Sequence, residues 1–185
     1  MSTRTALLVI DCQSVFEPMI ASVAVPDIKR LHNHFEATSL SIIYTQHGHT
    51  KEELTPPYKN QLGSRWIDSP RQLRLELIPE LKTLAEQYPK VQKNTYDAFI
   101  NTDLASILVD RKIGRVVVCG VMTDCCCDTT ARSAFNRGYE TWLVSDACGS
   151  ANKTQHQAGL RGFGFAFGET PTTAEAIKML EEDVQ

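Results

Sequence analysis

Three adjacent thiols, Cys125-Cys126-Cys127, lie in the stretch Gly120-Val-Met-Thr-Asp-Cys-Cys-Cys-Asp-Thr-Thr-Ala-Arg132, which follows the apolar run Arg115-Val-Val-Val-Cys-Gly120. The pattern is that of a nucleophile on a strand-to-helix turn. Cysteine attacks as its thiolate, and the first turn of a helix offers unpaired N–H groups and a positive partial charge, both of which lower a thiol pKa. The same N–H groups can hold an oxyanion. A lone cysteine would read more simply as a small apolar filler. Three in succession cannot all face a core, because neighbours on a helix point about 100° apart. Two other groups could complete a nucleophilic set. Asp11 directly follows the apolar run Ala6-Leu-Leu-Val-Ile10, and Lys93 directly follows Lys90-Val-Gln92. A carboxylate can take a thiol proton, and an ammonium can hold the charges that result. Singly each has a plainer reading, Asp11 as a helix cap and Lys93 as a surface charge.

These groups meet only if the chain brings the ends of several strands to one place. The apolar pattern predicts strands over 6–10, 40–44, 90–92, 115–119, 141–145 and, more weakly, 164–167. It predicts helices over 26–38, part of 71–87, 104–112, 124–137, 154–162 and 172–182. Strands that are apolar throughout belong in a parallel sheet covered on both faces. The alternation is that of a βα-repeated, three-layer α/β architecture. In such sheets ligands bind beyond the carboxyl ends of the strands, where strand order reverses, and Asp11, Lys93 and the cysteine turn all follow strands. The turn Asp11-Cys-Gln-Ser-Val-Phe16 has no glycine to admit a pyrophosphate, so a nicotinamide or flavin cofactor is not expected. Residues 46–71, polar and holding Pro56, Pro57 and Pro70, are too long for a simple connection and read as a substrate-covering loop or a surface excursion.

The 185 residues, 42% hydrophobic, suit a single domain over 1–185 with a sizeable core. The formal charge is −3, from 19 basic and 22 acidic residues. No basic stripe could follow a phosphate backbone, so nucleic-acid binding is not expected. The N-terminus lacks the apolar core of a secretory signal, and no run nears the ~20 residues that cross a bilayer. A cytoplasmic protein without membrane contact is expected. Six cysteines are too few for a disulfide scaffold in a chain of this length and are expected as free thiols.

Leu7-Leu-Val-Ile-Asp-Cys-Gln13, Lys93-Asn-Thr-Tyr-Asp-Ala-Phe99 and Gly120-Val-Met-Thr-Asp-Cys-Cys-Cys127, in that order, resemble the isochorismatase-like (cysteine) hydrolase superfamily. The resemblance continues through Thr129–Phe135, Gly138-Tyr139, Asp146-Ala-Cys148 and His156, and so covers essentially the whole chain. It implies a three-layer α/β/α Rossmann-like fold with a six-stranded parallel sheet, an Asp–Lys–Cys triad and homo-oligomers. Matched residue by residue, it puts the nucleophile at Cys126, the middle thiol, with Cys125 and Cys127 as packing neighbours, Asp11 as general base and acid, and Lys93 as electrostatic support. It further implies a cis peptide joining Val121 to Met122, and the backbone N–H groups of Met122 and Cys126 as oxyanion donors. Gln13 is expected to hydrogen-bond near Asp11.

Nicotinamidases within that superfamily hold zinc or a similar ion with an Asp-x-His pair and a later histidine. The corresponding segment here is Gln46-His-Gly-His49. A His-x-His pair can chelate from an extended segment, but no histidine occurs between His49 and His156 to supply a third ligand. No metal or other cofactor is therefore expected, and His47 and His49 are placed in the pocket or on its rim. His32 and His34, in a polar helix, are expected to be solvated. Phe16, Arg65, Trp66, Tyr96, Phe99 and Val121 complete the pocket candidates: rings favour a flat or cyclic small molecule, and a guanidinium can pair with a carboxylate. For any one of the aromatics, core packing is the commoner role. A thiol nucleophile favours amide, imide or carbamoyl substrates. The alternative is cleavage of isochorismate, an enol ether, with Asp11 as acid. Two further readings are a silent binding protein on the same fold and a redox protein, against which stands the absence of a Cys-x-x-Cys pair.

Overall fold

Five of the apolar runs form strands: β1 (Thr5–Ile10), β2 (Ser41–His47), β3 (Lys90–Lys93), β4 (Arg115–Val121) and β5 (Glu140–Gly149). The computed structural model describes residues 3–17, 19–20, 24–49 and 76–183. Among these the strands build one sheet in the order β3-β2-β1-β4-β5, with every pairing parallel. The helices are α1 (Ala24–Ala37), α2 (Pro79–Lys82), α3 (Leu104–Asp110), α4 (Asp128–Asn136), α5 (Lys153–Ala166) and α6 (Thr173–Glu182).

Side chains on a strand alternate between faces, and the sheet distributes its apolar residues accordingly. Leu7 and Val9 of β1, with Val117 and Cys119 of β4, pack on one face against Ile28, Leu31 and Phe35 of α1 and Ala176 and Leu180 of α6. Ala6, Leu8 and Ile10, with Val116 and Val118, pack on the other against Leu104 and Leu108 of α3, Ala131 and Ala134 of α4, and Phe163 of α5. Helices therefore cover both faces, which is why β1 and β4 are buried at every position. From β1 the chain winds outward through β2 to β3, then returns to β1's other side as β4 and continues to β5. Strand order reverses between β1 and β4, so their carboxyl ends open a crevice. Gly120 permits the close approach there: its φ is +116°, and a Cβ on it would lie 2.1 Å from the Ile10 carbonyl oxygen.

Among the described residues the sheet has five strands where six were expected. Residues 164–167, read as a weak strand, fall in the last turn of α5 and just beyond it. The aromatics there are spaced for a helix: Phe163 is fully buried, Phe167 stacks on it with ring centroids 6.1 Å apart, and Phe165 between them is 91% exposed. His32 is also corrected. It is fully buried on α1, one turn from Ile28, and its Nδ1 is 2.8 Å from the Tyr44 hydroxyl. His34 is half-buried. Most of residues 46–71 lies outside the described residues. No described helix is long and apolar enough to cross a membrane.

Candidate active site

The carboxyl edge of the sheet gathers chemistry from four successive strands. Asp11 takes the first position after β1 with φ at +49°, a left-handed conformation that aspartate tolerates better than most residues. The turn aims its carboxylate sideways along the sheet edge, where β2 and β3 end. Thr45 of β2 donates its hydroxyl to Asp11 Oδ1 at 2.6 Å and accepts the Asp11 backbone N–H at 3.2 Å. Lys93 Nζ lies 2.6 Å from Asp11 Oδ2, with both side chains fully buried. His47 is the register partner of Lys93 across the β2–β3 ladder, and its Nδ1 is 3.0 Å from Lys93 Nζ. The Thr95 carbonyl accepts from the same ammonium at 2.9 Å.

From β4 the chain enters through the Val121–Met122 peptide, which is cis, and turns into a π-helical segment, Thr123–Cys127, ahead of α4. The Met122 carbonyl accepts from the N–H groups of Cys125 and Cys127 at 3.0 and 3.1 Å. Cys126 is 6% exposed and Cys127 fully buried, whereas Cys125 is half-buried. A carboxylate oxygen of Asp11, a ring nitrogen of His47 and the Cys126 sulfur all lie within 4.8 Å of one another. The turn is fixed from behind by α5: Thr123 Oγ1 is 2.8 Å from His156 Nδ1, Ser150 donates to Asp124, and Gly159 packs so closely that a Cβ on it would come within 2.9 Å of the Asp124 Cα.

These contacts set the charges. Burial pulls the Lys93 ammonium toward neutrality, but the negative charge of Asp11 and hydrogen bonds to Asp11 and Cys126 outweigh it and raise its pKa. Burial, then the charge of Lys93, lowers His47 to about 3, so its ring is neutral. The thiol departs from the expectation of a helix N-terminus. A hydrogen bond to Cys125, burial and the Asp11 carboxylate raise the Cys126 pKa against the pull of Lys93, and the helix proper begins only at Asp128. At rest Cys126 is a thiol and needs a base to lose its proton. Cys125 moves the other way, because Cys126 hydrogen-bonds to it.

The remaining pocket candidates divide. Gln13 is fully buried and clamps the His47 backbone, donating to its carbonyl at 3.1 Å and accepting its N–H at 2.7 Å. It thereby holds the end of β2 rather than the Asp11 side chain. Tyr96 is half-buried with its ring 6.0 Å from that of His47. Phe16 and Val121 belong to the core on the α1 face. Phe99 stacks on Tyr139 at 6.4 Å beneath the Arg137 guanidinium, a core role. Arg65 and Trp66 lie outside the described residues. Sequence reading missed Thr45 and the contact of His47 with Lys93. Residues 45 and 47 share a face of β2, and once β2 is known to lie between β1 and β3, that face meets both Asp11 and Lys93.

The histidine pair fits a metal ion poorly. His47 Nδ1 is engaged by an ammonium, and the Nε2 atoms of His47 and His49 are 2.8 Å apart, a hydrogen-bond distance. Two nitrogens on a tetrahedral zinc, each about 2.0–2.1 Å from it, would stand about 3.3 Å apart. Among the described residues, the trio of Asp11, His47 and Cys126 is the one cluster of potential ligand atoms, and Lys93 Nζ already contacts all three.

A buried carboxylate, ammonium and thiol at the switch point of a parallel sheet form a nucleophilic centre of the hydrolase class. A family model for the isochorismatase domain matches residues 5–176, and the chain belongs to the isochorismatase family of cysteine hydrolases, a family of enzymes. It is 33% identical to nicotinamidase 3 of Arabidopsis thaliana over 90% of this chain and 83% of that protein. Among solved structures it is similar to a cysteine hydrolase of Pseudomonas syringae pv. phaseolicola 1448A, with TM-score 0.85, 28% identity, and 97% and 93% of the two chains covered. It is also similar to the nicotinamidase SaPncA of Staphylococcus aureus, with TM-score 0.74, 26% identity, and 92% and 98% covered.

Proposed function

We propose that the protein hydrolyses a C–N bond in a small amide, imide or carbamoyl substrate through an acyl-enzyme on Cys126. The observation that carries this reading is the buried Asp11–Lys93 pair at 2.6 Å, with a carboxylate oxygen of Asp11 within 4.8 Å of the Cys126 sulfur. The similarity to two nicotinamidases, enzymes named for an amide, favours C–N cleavage over cleavage of an enol ether.

Asp11 accepts the thiol proton as the sulfur attacks the substrate carbonyl carbon, and the carbonyl π electrons move to oxygen. Backbone N–H groups of Met122 and Cys126 receive that oxyanion. As the C=O re-forms, the C–N bond breaks, and Asp11 returns its proton to the departing nitrogen. Water then gives a proton to Asp11 and attacks the thioester. The C–S bond breaks, the acid leaves, and Cys126 is reprotonated. Throughout, the Lys93 ammonium neutralises whichever of Asp11 and Cys126 carries the negative charge. A raised thiol pKa suits this scheme, because proton transfer to Asp11 can be coupled to attack. Tyr96 and the rim of residues near His49 would contact the substrate.

The test is a screen of nicotinamide, small ureides, cyclic imides and isochorismate against the purified protein, read as ammonia or product release, together with Cys126→Ala. The expected result is turnover of at least one amide or carbamoyl compound, lost by 10³-fold or more in a Cys126→Ala variant of unchanged circular dichroism. Full activity of that variant, or turnover of isochorismate alone, would overturn the reading.

A further inference from the structure

An ammonium has three N–H donors and no acceptor. Lys93 Nζ meets Asp11 Oδ2 at 2.6 Å, the Thr95 carbonyl at 2.9 Å and His47 Nδ1 at 3.0 Å, and it also hydrogen-bonds Cys126, so four groups share its three hydrogens. Nδ1 can take part only as a bare lone pair, so the proton of a neutral His47 ring must sit on Nε2. That Nε2–H points at His49 Nε2, 2.8 Å away, which must therefore also be a bare lone pair, with the His49 proton on Nδ1. Burial and the neighbouring ammonium keep His47 neutral. Gln13 grips both backbone polar groups of His47, and the ladder registers His47 against Lys93, so the imidazole has little freedom to turn away.

From this geometry we infer that His47 is a positioning residue: its Nδ1 fixes the direction of the Lys93 ammonium, and His49 enforces the required tautomer by accepting from His47 Nε2. The pair occupies the segment where a metal would be sought and does a different task there. Without the imidazole acceptor, the ammonium is held by Asp11, the Thr95 carbonyl and Cys126 alone, and it can swing off the line joining Asp11 and Cys126. The inference rests on the reading of Asp11, Lys93 and Cys126 as the reacting groups, and its test keeps the two separable.

In the wild-type enzyme, ¹⁵N–¹H spectra of labelled histidine should report the proton of His47 on Nε2 and that of His49 on Nδ1. His47→Leu removes the acceptor, whereas His47→Asn places Oδ1 where Nδ1 was and retains it. With the substrate found by the screen, His47→Leu should lower kcat by 10–100-fold with KM changed less than threefold, and His47→Asn should recover most of that loss. The rate at which iodoacetamide alkylates Cys126, located by peptide mass analysis, should follow the same order without any substrate. Should no amide be turned over, the hydrolytic reading fails while the tautomer and alkylation measurements still judge His47. A His47 proton on Nδ1 would overturn the inference, as would Leu and Asn variants that behave alike. Activity lost to a chelator and restored by zinc bound through His47 and His49 would overturn it too.

Discussion

Asp11 illustrates how little freedom the proposed reacting groups have. Each of its oxygens has a partner, Thr45 at 2.6 Å and Lys93 at 2.6 Å, and its side chain is fully buried. Replacing Asp11 by Asn leaves the ammonium buried without its counter-charge, a situation that costs about 3–5 kcal/mol. We expect a fall in Tm of about 10 °C beside the loss of turnover, measured by thermal unfolding; an unchanged Tm would mean that Lys93 finds another anion. Thr45→Val is subtler. It removes a hydrogen bond to a charged group, worth about 1.5–3 kcal/mol, and should lower kcat about tenfold or more with KM little affected. Asp11, Lys93 and the cysteine turn stood out in the sequence because each follows a predicted strand, whereas the choice of Cys126 among three thiols came from the family resemblance. Thr45 did not stand out, because a threonine inside an apolar strand carries no mark of its own, and its importance arises only from which strand becomes its neighbour. The thiol pKa was misjudged for a related reason: burial and the adjacent carboxylate are properties of the assembled fold, whereas the helix-terminus effect can be imagined locally.

At the level of elements, the turn that carries Cys126 is packed closely against α5. A methyl group on Gly159 would come within 2.9 Å of the Asp124 Cα, so Gly159→Ala must push the helix from the turn. Overpacking of this kind costs about 1–3 kcal/mol, and the turn carries Cys126, so both Tm and kcat should fall. The contrast is Thr172→Ala at the start of α6, on the opposite face of the sheet. Thr172 and Glu175 form a reciprocal cap at the start of α6, worth about 1 kcal/mol, and its loss should lower Tm slightly and leave kcat unchanged. If the two variants behave alike in activity, the turn does not depend on α5. Strand β1 and helix α1 follow from period and composition. Residues 164–167 misled because Phe165 and Phe167, two apart, imitate a strand, whereas the buried pair is Phe163 and Phe167, four apart. The same error placed His32 in water: a polar helix still has one buried stripe, and position 32 lies on it.

For the molecule as a whole, three histidines, His32, His47 and His156, are held neutral by burial, with pKa values below the ordinary 6.5. In the unfolded chain they would take up protons as the pH drops through 6.5, while in the native state they resist. Stability is therefore complete above about pH 6.5 and declines as the pH falls, each histidine contributing at most about 1.4 kcal/mol per pH unit. For His47 the decline continues toward pH 3. Urea midpoints at pH 7.5, 6 and 4.5 should fall in that order, and a flat profile would mean that these rings titrate normally. The strand order β3-β2-β1-β4-β5 has a consequence of its own. Four of the five strands each deliver one component of the site, so no fragment that lacks β1, β2, β3 or β4 contains the whole set. Catalysis should vanish at the same denaturant concentration as the sheet, without an active partly folded species, and enzyme activity becomes a faithful gauge of the integrity of those four strands.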